Sequence, residues 1–248
     1  MKNIFTLLVL MIALSSCKKA SERSCFKSKG EDGTLELLVD QKIDSLKLYD
    51  DLYYTLVQSA ESKVVLSGGE NLLPHVEIVA DNGNLFIRNK NKCNFLRSFK
   101  NKIHVFVYVD TIRAIHYEGS SELKSQDTLR SDELRLTITD GAGDVDLTLK
   151  NSYTSAVVTH GFGNFTLRGK TYSTFLNCNT NSYCDTRELI SANWLIVNSN
   201  TVSNMLINAN TNNLQAIIRQ KGDIKYVGIP GTKTLERTGK GELIDLNN

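Results

Sequence analysis

Residues 134–149, LRLTITDGAGDVDLTL, and residues 155–168, SAVVTHGFGNFTLR, follow one plan. Runs of alternating apolar and polar residues flank a Gly-x-Gly corner, Gly141 to Gly143 in the first and Gly161 to Gly163 in the second. A period of two marks a strand with one dry and one wet face. The dry face takes Leu134, Leu136, Ile138, Val145, Leu147 and Leu149, joined by Ala156, Val158, Phe165 and Leu167. Arg135, Thr137, Asp146 and Thr148 then face water. The four glycines suit a tight corner where the chain needs positive φ. As phosphate loops they are weak, since no helix pattern or GK(S/T) follows.

The plan recurs outward from this stretch. Corners align on Ser121 of SSEL, Gly143 of GDVDL, Gly163 of GNFTL, Ser182 of SYCDT, Ser203 of SNMLI and Gly222 of GDIKY. Successive corners are 22, 20, 19, 21 and 19 residues apart. That period is too short for a propeller blade and lacks leucine-rich-repeat spacing, but it fits one coil of a parallel β-helix. One such coil cannot bury its own apolar side. Stacked coils pair every backbone group with the coil above and below. The fold expected is therefore all-β, a solenoid of coils of about 20 residues with Gly and Asn corners.

Eleven asparagines fall within residues 177–213, among them Asn177, Asn179, Asn181, Asn198, Asn200, Asn208, Asn210 and Asn212. Asn tolerates left-handed turns, and stacked amides form hydrogen-bonded ladders. The other use of such a surface is a polar sugar-binding face. The register is ambiguous by one residue here, so no inward face is assigned. Residues 31–100 repeat the pattern more loosely, with a turn at Asp81-Asn82-Gly83-Asn84 and a helical turn around Pro74. They read as the first coils or a packed strand layer. A sub-boundary is possible near residue 100, in the basic stretch from Arg97 to Lys102. Tyr226 to Pro230 and the polar residues after them read as a last coil plus a cap.

The 248-residue chain is 41% hydrophobic and 23% charged, which is ordinary for a folded protein. Lys plus Arg number 29 against 27 Asp plus Glu, so no basic field marks nucleic acid as a partner. Residues 1–16, MKNIFTLLVLMIALSS, place Lys2 before an apolar run from Ile4 to Leu14 that is too short to span a bilayer. This is the pattern of a secretory signal peptide. Leu14-Ser15-Ser16-Cys17 resembles the lipobox of bacterial lipoproteins, in which the cysteine is acylated and becomes the new N-terminus. A plain cleavage site is the alternative. The division is then residues 1–16 as signal, 17–30 as lipidated Cys17 and tether, and 31–248 as the head.

Export to an oxidising compartment lets Cys25, Cys93, Cys178 and Cys184 pair. Of three connectivities we favour Cys25 with Cys93 and Cys178 with Cys184, against an alternative of four buried thiols. A zinc site is disfavoured because no CxxC or nearby His accompanies them.

Glu70-Asn71-Leu72-Leu73, Asp81-Asn82-Gly83-Asn84-Leu85, Glu118-Gly119-Ser120-Ser121, Gly141-Ala142-Gly143 and Tyr226-Val227-Gly228-Ile229-Pro230, in that order, resemble the head domain of the auto-transporter adhesin family, the GIN domain, over residues 33–246. The resemblance implies a right-handed, pectin-lyase-like parallel β-helix without a set catalytic constellation, acting in adhesion at the cell envelope. The chain departs from the family name in showing no C-terminal membrane barrel or trimeric coiled coil. Its later corners also replace Gly-x-Gly by Asn and Ser.

Enzyme signals are thin. His75, His104, His116 and His160 are scattered, and neither GxSxG nor HExxH occurs. The strongest constellation is Asp140, Asp144 and Asp146 around the first corner, as calcium ligands or as an acid and base acting on a glycan. Turn carboxylates ordinarily accept local backbone hydrogen bonds, so no metal or cofactor is expected. The function expected is a lipid-anchored, outer-membrane or envelope protein binding glycan or protein without catalysis. The alternatives are a polysaccharide lyase or hydrolase, and an accessory subunit of an envelope complex.

Overall fold

The computed structural model describes residues 28–92 and 101–247. The strands begin with β1 (Asp32–Leu38), β2 (Ser45–Asp50), β3 (Tyr53–Gln58), β4 (Lys63–Gly69), β5 (Val76–Asp81), β6 (Asn84–Asn89) and β7 (His104–Val109). They continue with β8 (Ala114–Gly119), β9 (Leu123–Arg130), β10 (Glu133–Ile138), β11 (Asp144–Val158), β12 (Asn164–Thr180) and β13 (Cys184–Thr186). The last are β14 (Leu189–Thr201), β15 (Met205–Asn208), β16 (Asn213–Ile218), β17 (Ile224–Val227), β18 (Thr232–Arg237) and β19 (Leu243–Asp245). A 3₁₀ turn at Leu73–His75 is the one helical turn among the described residues. None of them form a helix long and apolar enough to cross a membrane.

The strands make a β-solenoid of about seven turns whose coils have two principal faces. The first face runs β1, β4, β7, β3, β9, then the N-terminal halves of β11 and β12, then β13, β15, β17 and β19. The second runs β5, β6, β2, β8, β10, then the C-terminal halves of β11 and β12, then β14, β16 and β18. Leu123 pairs with Val145, and from there the stack climbs through Phe165, Cys184, Met205, Ile224 and Leu243. These steps are 22, 20, 19, 21, 19 and 19 residues, so the corner alignment is the hydrogen-bonded register itself, one coil longer than read. All ten residues assigned to the dry face are buried. One apolar cluster reaches from Ile43 to Tyr226.

Five readings are corrected. β11 and β12 run unbroken through a corner that was read as a gap between two short strands, because the ladder continues on both sides of the bend. The first coils are not stacked in chain order. β2 lies between β6 and β8, and β3 between β7 and β9. The antiparallel β4 and the β5–β6 hairpin carry the chain back beneath the first coil to do this, and antiparallel β1–β4 covers that end.

At the other end the expected cap is instead a further coil. β18 and β19 each pair on one side, and every residue of β18 is exposed. Lys233, Glu236 and Arg237 charge that strand, a feature that discourages edge-to-edge association. Of the four corner glycines only Gly161 has a left-handed φ (95°), a role taken elsewhere by Asp140 (52°) and Thr180 (59°). Gly143 is small for another reason: a Cβ there would strike the Ser121 carbonyl of the coil below and the Tyr117 hydroxyl.

Finally, Cys178 and Cys184 are free thiols, and the expected bridge between them is not formed. Both lie in the dry interior. Burial, then a hydrogen bond with Cys178, pushes the Cys184 thiol well above its usual range, so the pair stays protonated. Cys17, Cys25, Cys93, the signal segment and most of the tether and of the basic stretch near residue 100 lie outside the described residues.

The interior of the Asn-rich coils, left unassigned from sequence, is polar in part. Ser182, Thr186, Ser191, Ser199, Thr201, Asn208 and Thr211 are buried. Most reach across to a neighbouring backbone. Thr201 Oγ1 donates to the Ser182 carbonyl at 2.8 Å, Ser199 Oγ to Gly222 at 3.1 Å, and Asn208 Nδ2 to Arg187 at 2.8 Å. Outside, Asn200 Nδ2 donates to Asn177 Oδ1 at 3.0 Å. The amides therefore join coils, the structural one of their two possible uses.

Candidate ligand-binding ridge

Where each coil turns from the first face to the second, it makes a bend without leaving the ladder. In β11 the bend is Lys150-Asn151-Ser152-Tyr153, in β12 Lys170-Thr171-Tyr172-Ser173, and in β14 Ile190 to Trp194. Hydroxyl side chains fix it from within. Thr154 Oγ1 donates to Asn151 Oδ1 at 2.8 Å, Thr171 Oγ1 donates to the Ser173 carbonyl at 3.1 Å, and Thr174 and Ser191 share a hydrogen bond between coils. With these groups satisfied inside, the outward residues are free to vary.

Arg130, Lys150 and Lys170 stand in one register column on three successive coils, all exposed. Beside the column Tyr172 is 59% and Trp194 44% exposed. Trp194 gets its place from a β-bulge: Thr171 pairs with Ser191 but Ser173 with Trp194, so one extra residue is accommodated at the bend. Tyr153, in the column of Trp194, has the Arg135 guanidinium 5.7 Å from its ring centre, and Arg135 is itself paired with Glu133 at 3.0 Å. Below, a shallow open depression of about 430 Å³ is lined by Thr111, Arg130, Ser131, Asp132 and Lys150.

The sequence-derived candidates lie elsewhere. Asp144 and Asp146 are on the outside of the first face, lining a second depression with Glu122, Asn164, Thr166 and Tyr183. Each is engaged in the stack. Asp144 Oδ1 accepts from Asn164 Nδ2 at 3.1 Å, and Asp146 is ion-paired with Arg168. Asn164 Oδ1 in turn accepts from the Tyr183 backbone amide, Asn204 Oδ1 from Asp223, and Asp223 Oδ1 from Glu242, a ladder of corner side chains. Asp140 occupies the left-handed corner position. Among the described residues no three His, Cys, Asp or Glu side chains gather as a metal site.

The histidines are also in bland settings. His116 Nε2 meets Glu118 Oε1 at 2.6 Å, and His104 packs on Tyr53 at 5.2 Å between ring centres. Burial, then the nearby Lys102 and Lys124 charges, lowers the His104 pKa.

The ridge was not singled out from sequence. Its signal was present in the repeat: once the register is fixed, Arg130, Lys150 and Lys170 fall at intervals of one coil.

These features define a class, a β-solenoid that offers a rigid surface and no assembled catalytic group among the described residues. Residues 42–230 match the family described as "Putative auto-transporter adhesin, head GIN domain", and the chain belongs to that family. No curated protein matches. Among solved structures, a "putative adhesin" from Bacteroides fragilis is 20% identical with a TM-score of 0.77, over 87% of this chain and 97% of that one. A "putative adhesin" from Parabacteroides merdae is 16% identical with a TM-score of 0.61, over 89% and 98%. A "putative lipid binding protein" from Parabacteroides distasonis is 14% identical with a TM-score of 0.61, over 89% and 98%. At these identities the likeness is one of fold.

Proposed function

We propose that the protein is a non-catalytic adhesin of the cell envelope, anchored through lipid on Cys17 and presenting its solenoid surface to a glycan or protein. The observation that carries this reading is the ridge itself: exposed cations and aromatics held on a rigid stack in a member of an adhesin family. A hydrolase or lyase would need a carboxylate free to move a proton. Asp144 and Asp146 instead serve as bonding partners between coils. Sorting to an outer membrane rests on the signal segment and the Cys17 motif.

The test is made on whole cells. Protease shaving should remove the protein from intact cells, deletion should reduce attachment to a glycan-coated surface, and Cys17→Ala should release the protein from the membrane fraction. Protection from protease with attachment unchanged would reject the adhesin reading in favour of an accessory subunit facing the periplasm.

A further inference from the structure

Three like charges one above another on adjacent strands repel, and cross-strand register normally avoids the arrangement. Arg130, Lys150 and Lys170 are stacked in this way, and none has a carboxylate within ion-pair distance. The surrounding carboxylates do not relieve them. Glu133 is taken by Arg135 and Glu188 by Arg168, while Asp132 lines the depression without reaching a cation. Elsewhere on the same face, charges along the column are compensated, as where Arg168 meets Asp146 one coil below and Glu188 one coil above. The uncompensated column is therefore a local departure from the rule of the surface, and it lies beside the exposed Tyr172 and Trp194.

We propose that this ridge binds an extended anionic polysaccharide, one bearing carboxylate or sulfate groups at regular intervals, laid along the solenoid axis. The inference rests on the adhesin reading and names its ligand. Neighbouring coils are about 4.8 Å apart, close to the advance of one sugar in an extended chain, so the column presents a cation to each successive residue. Arg130 gives a two-pronged carboxylate or sulfate contact and the lysines give point charges. Tyr172 and Trp194 offer flat, rigid apolar faces for the C–H side of a sugar ring, with polar edges left wet. Ser131, Ser152 and Thr111 at the rim supply hydroxyls for the remaining sugar hydroxyls. Single-stranded nucleic acid also uses cations and aromatics. It is disfavoured because the chain as a whole carries a net charge of only +2.

The experiment titrates purified full-length protein in detergent against polygalacturonate, dextran sulfate and uncharged dextran, with phosphatidylglycerol vesicles and oligodeoxythymidine as further arms. Binding to one of the two acidic glycans, absent for dextran and weakened by salt, is expected. Lys150→Gln with Lys170→Gln should weaken it tenfold or more at an unchanged melting midpoint. Trp194→Ala should weaken it in high salt as well as low, which separates the stacking contact from the charge contact. Because Trp194 sits at a bulge, Tyr172→Ala is the second aromatic variant.

Acidic-glycan binding indifferent to all of these variants would overturn the proposal. So would equal affinity for dextran, or tighter binding to vesicles or oligonucleotide. Cell attachment separates the two levels of the argument. If the lysine double variant attaches like wild type, the ridge assignment fails and the adhesin reading stands. If the wild-type protein mediates no attachment, the adhesin reading itself fails.

Discussion

The coils around residues 144–167 and those around residues 177–213 have the same register step and different interiors. The first are filled by Val145, Leu147, Leu149, Ala156, Val158, Phe165 and Leu167. The second place Cys178, Ser182, Cys184, Thr186, Ser199, Thr201 and Asn208 at buried positions, several of them bonded to the backbone of the next coil. A solenoid coil is thus held by two independent means. One is apolar area withdrawn from water. The other is side-chain hydrogen bonding along the axis, in a place where an unmet carbonyl would be costly. The backbone ladder is common to both, so either filling supports the same fold.

Substitutions should separate the two regions. The largest effect is expected from Leu147→Asp, which buries a charge among apolar neighbours; it should cost more than about 4 kcal/mol and leave little folded protein in a urea melt. An unchanged midpoint would refute the inward assignment. Gly143→Ala should follow, at about 1–3 kcal/mol, because the new methyl meets the Ser121 carbonyl and the Tyr117 hydroxyl; the same melt reads it.

In the polar coils Thr201→Val keeps the shape but removes the hydroxyl that serves the Ser182 carbonyl and the Ser203 amide. A loss of about 1–3 kcal/mol is expected. No loss would show that these coils are held by the ladder alone.

The comparison also extends to acid. Asp185 is pushed up by burial but drawn further down by its hydrogen bonds with Arg187, for a net pKa below the usual carboxylate value. A depressed folded pKa gives stability that is complete above the unfolded value of about 3.9 and is lost as pH falls through the folded value beneath it. Asp185→Asn should therefore flatten the pH dependence of stability below about pH 4 and leave that of the apolar coils alone, as read by melts at stepped pH. Smallest of all, Lys150→Gln should stabilise by a few tenths of a kcal/mol or nothing at low salt. A clear destabilisation would mean that Lys150 has a structural task.

The register could be read because each corner demands a small residue: Ser121, Gly143, Gly163, Ser182, Ser203 and Gly222 all sit where adjacent backbones approach. The stacking order of the first coils could not. Ser45 pairs with Asn84 and with Ala114, and a partner 39 or 69 residues away leaves no local pattern. Asp144 and Asp146 attracted attention because carboxylates cluster in sequence, yet their partners Asn164 and Arg168 are one coil away and hold them in structural roles. The ridge was overlooked for the converse reason. Its cations are far apart along the chain and become neighbours only in the stack.

The stack is tested most directly by distances along it. Spin labels paired from position 124 to positions 185, 225 and 244 lie in one outward column, three, five and six coils away. In a background with Cys17, Cys25 and Cys93 replaced by Ser, double electron–electron resonance should give backbone separations rising in even steps, about 14, 24 and 29 Å at 4.8 Å per coil. Distances that fail to rise in this order, as in a closed barrel where the ends of the sheet meet, would contradict the solenoid.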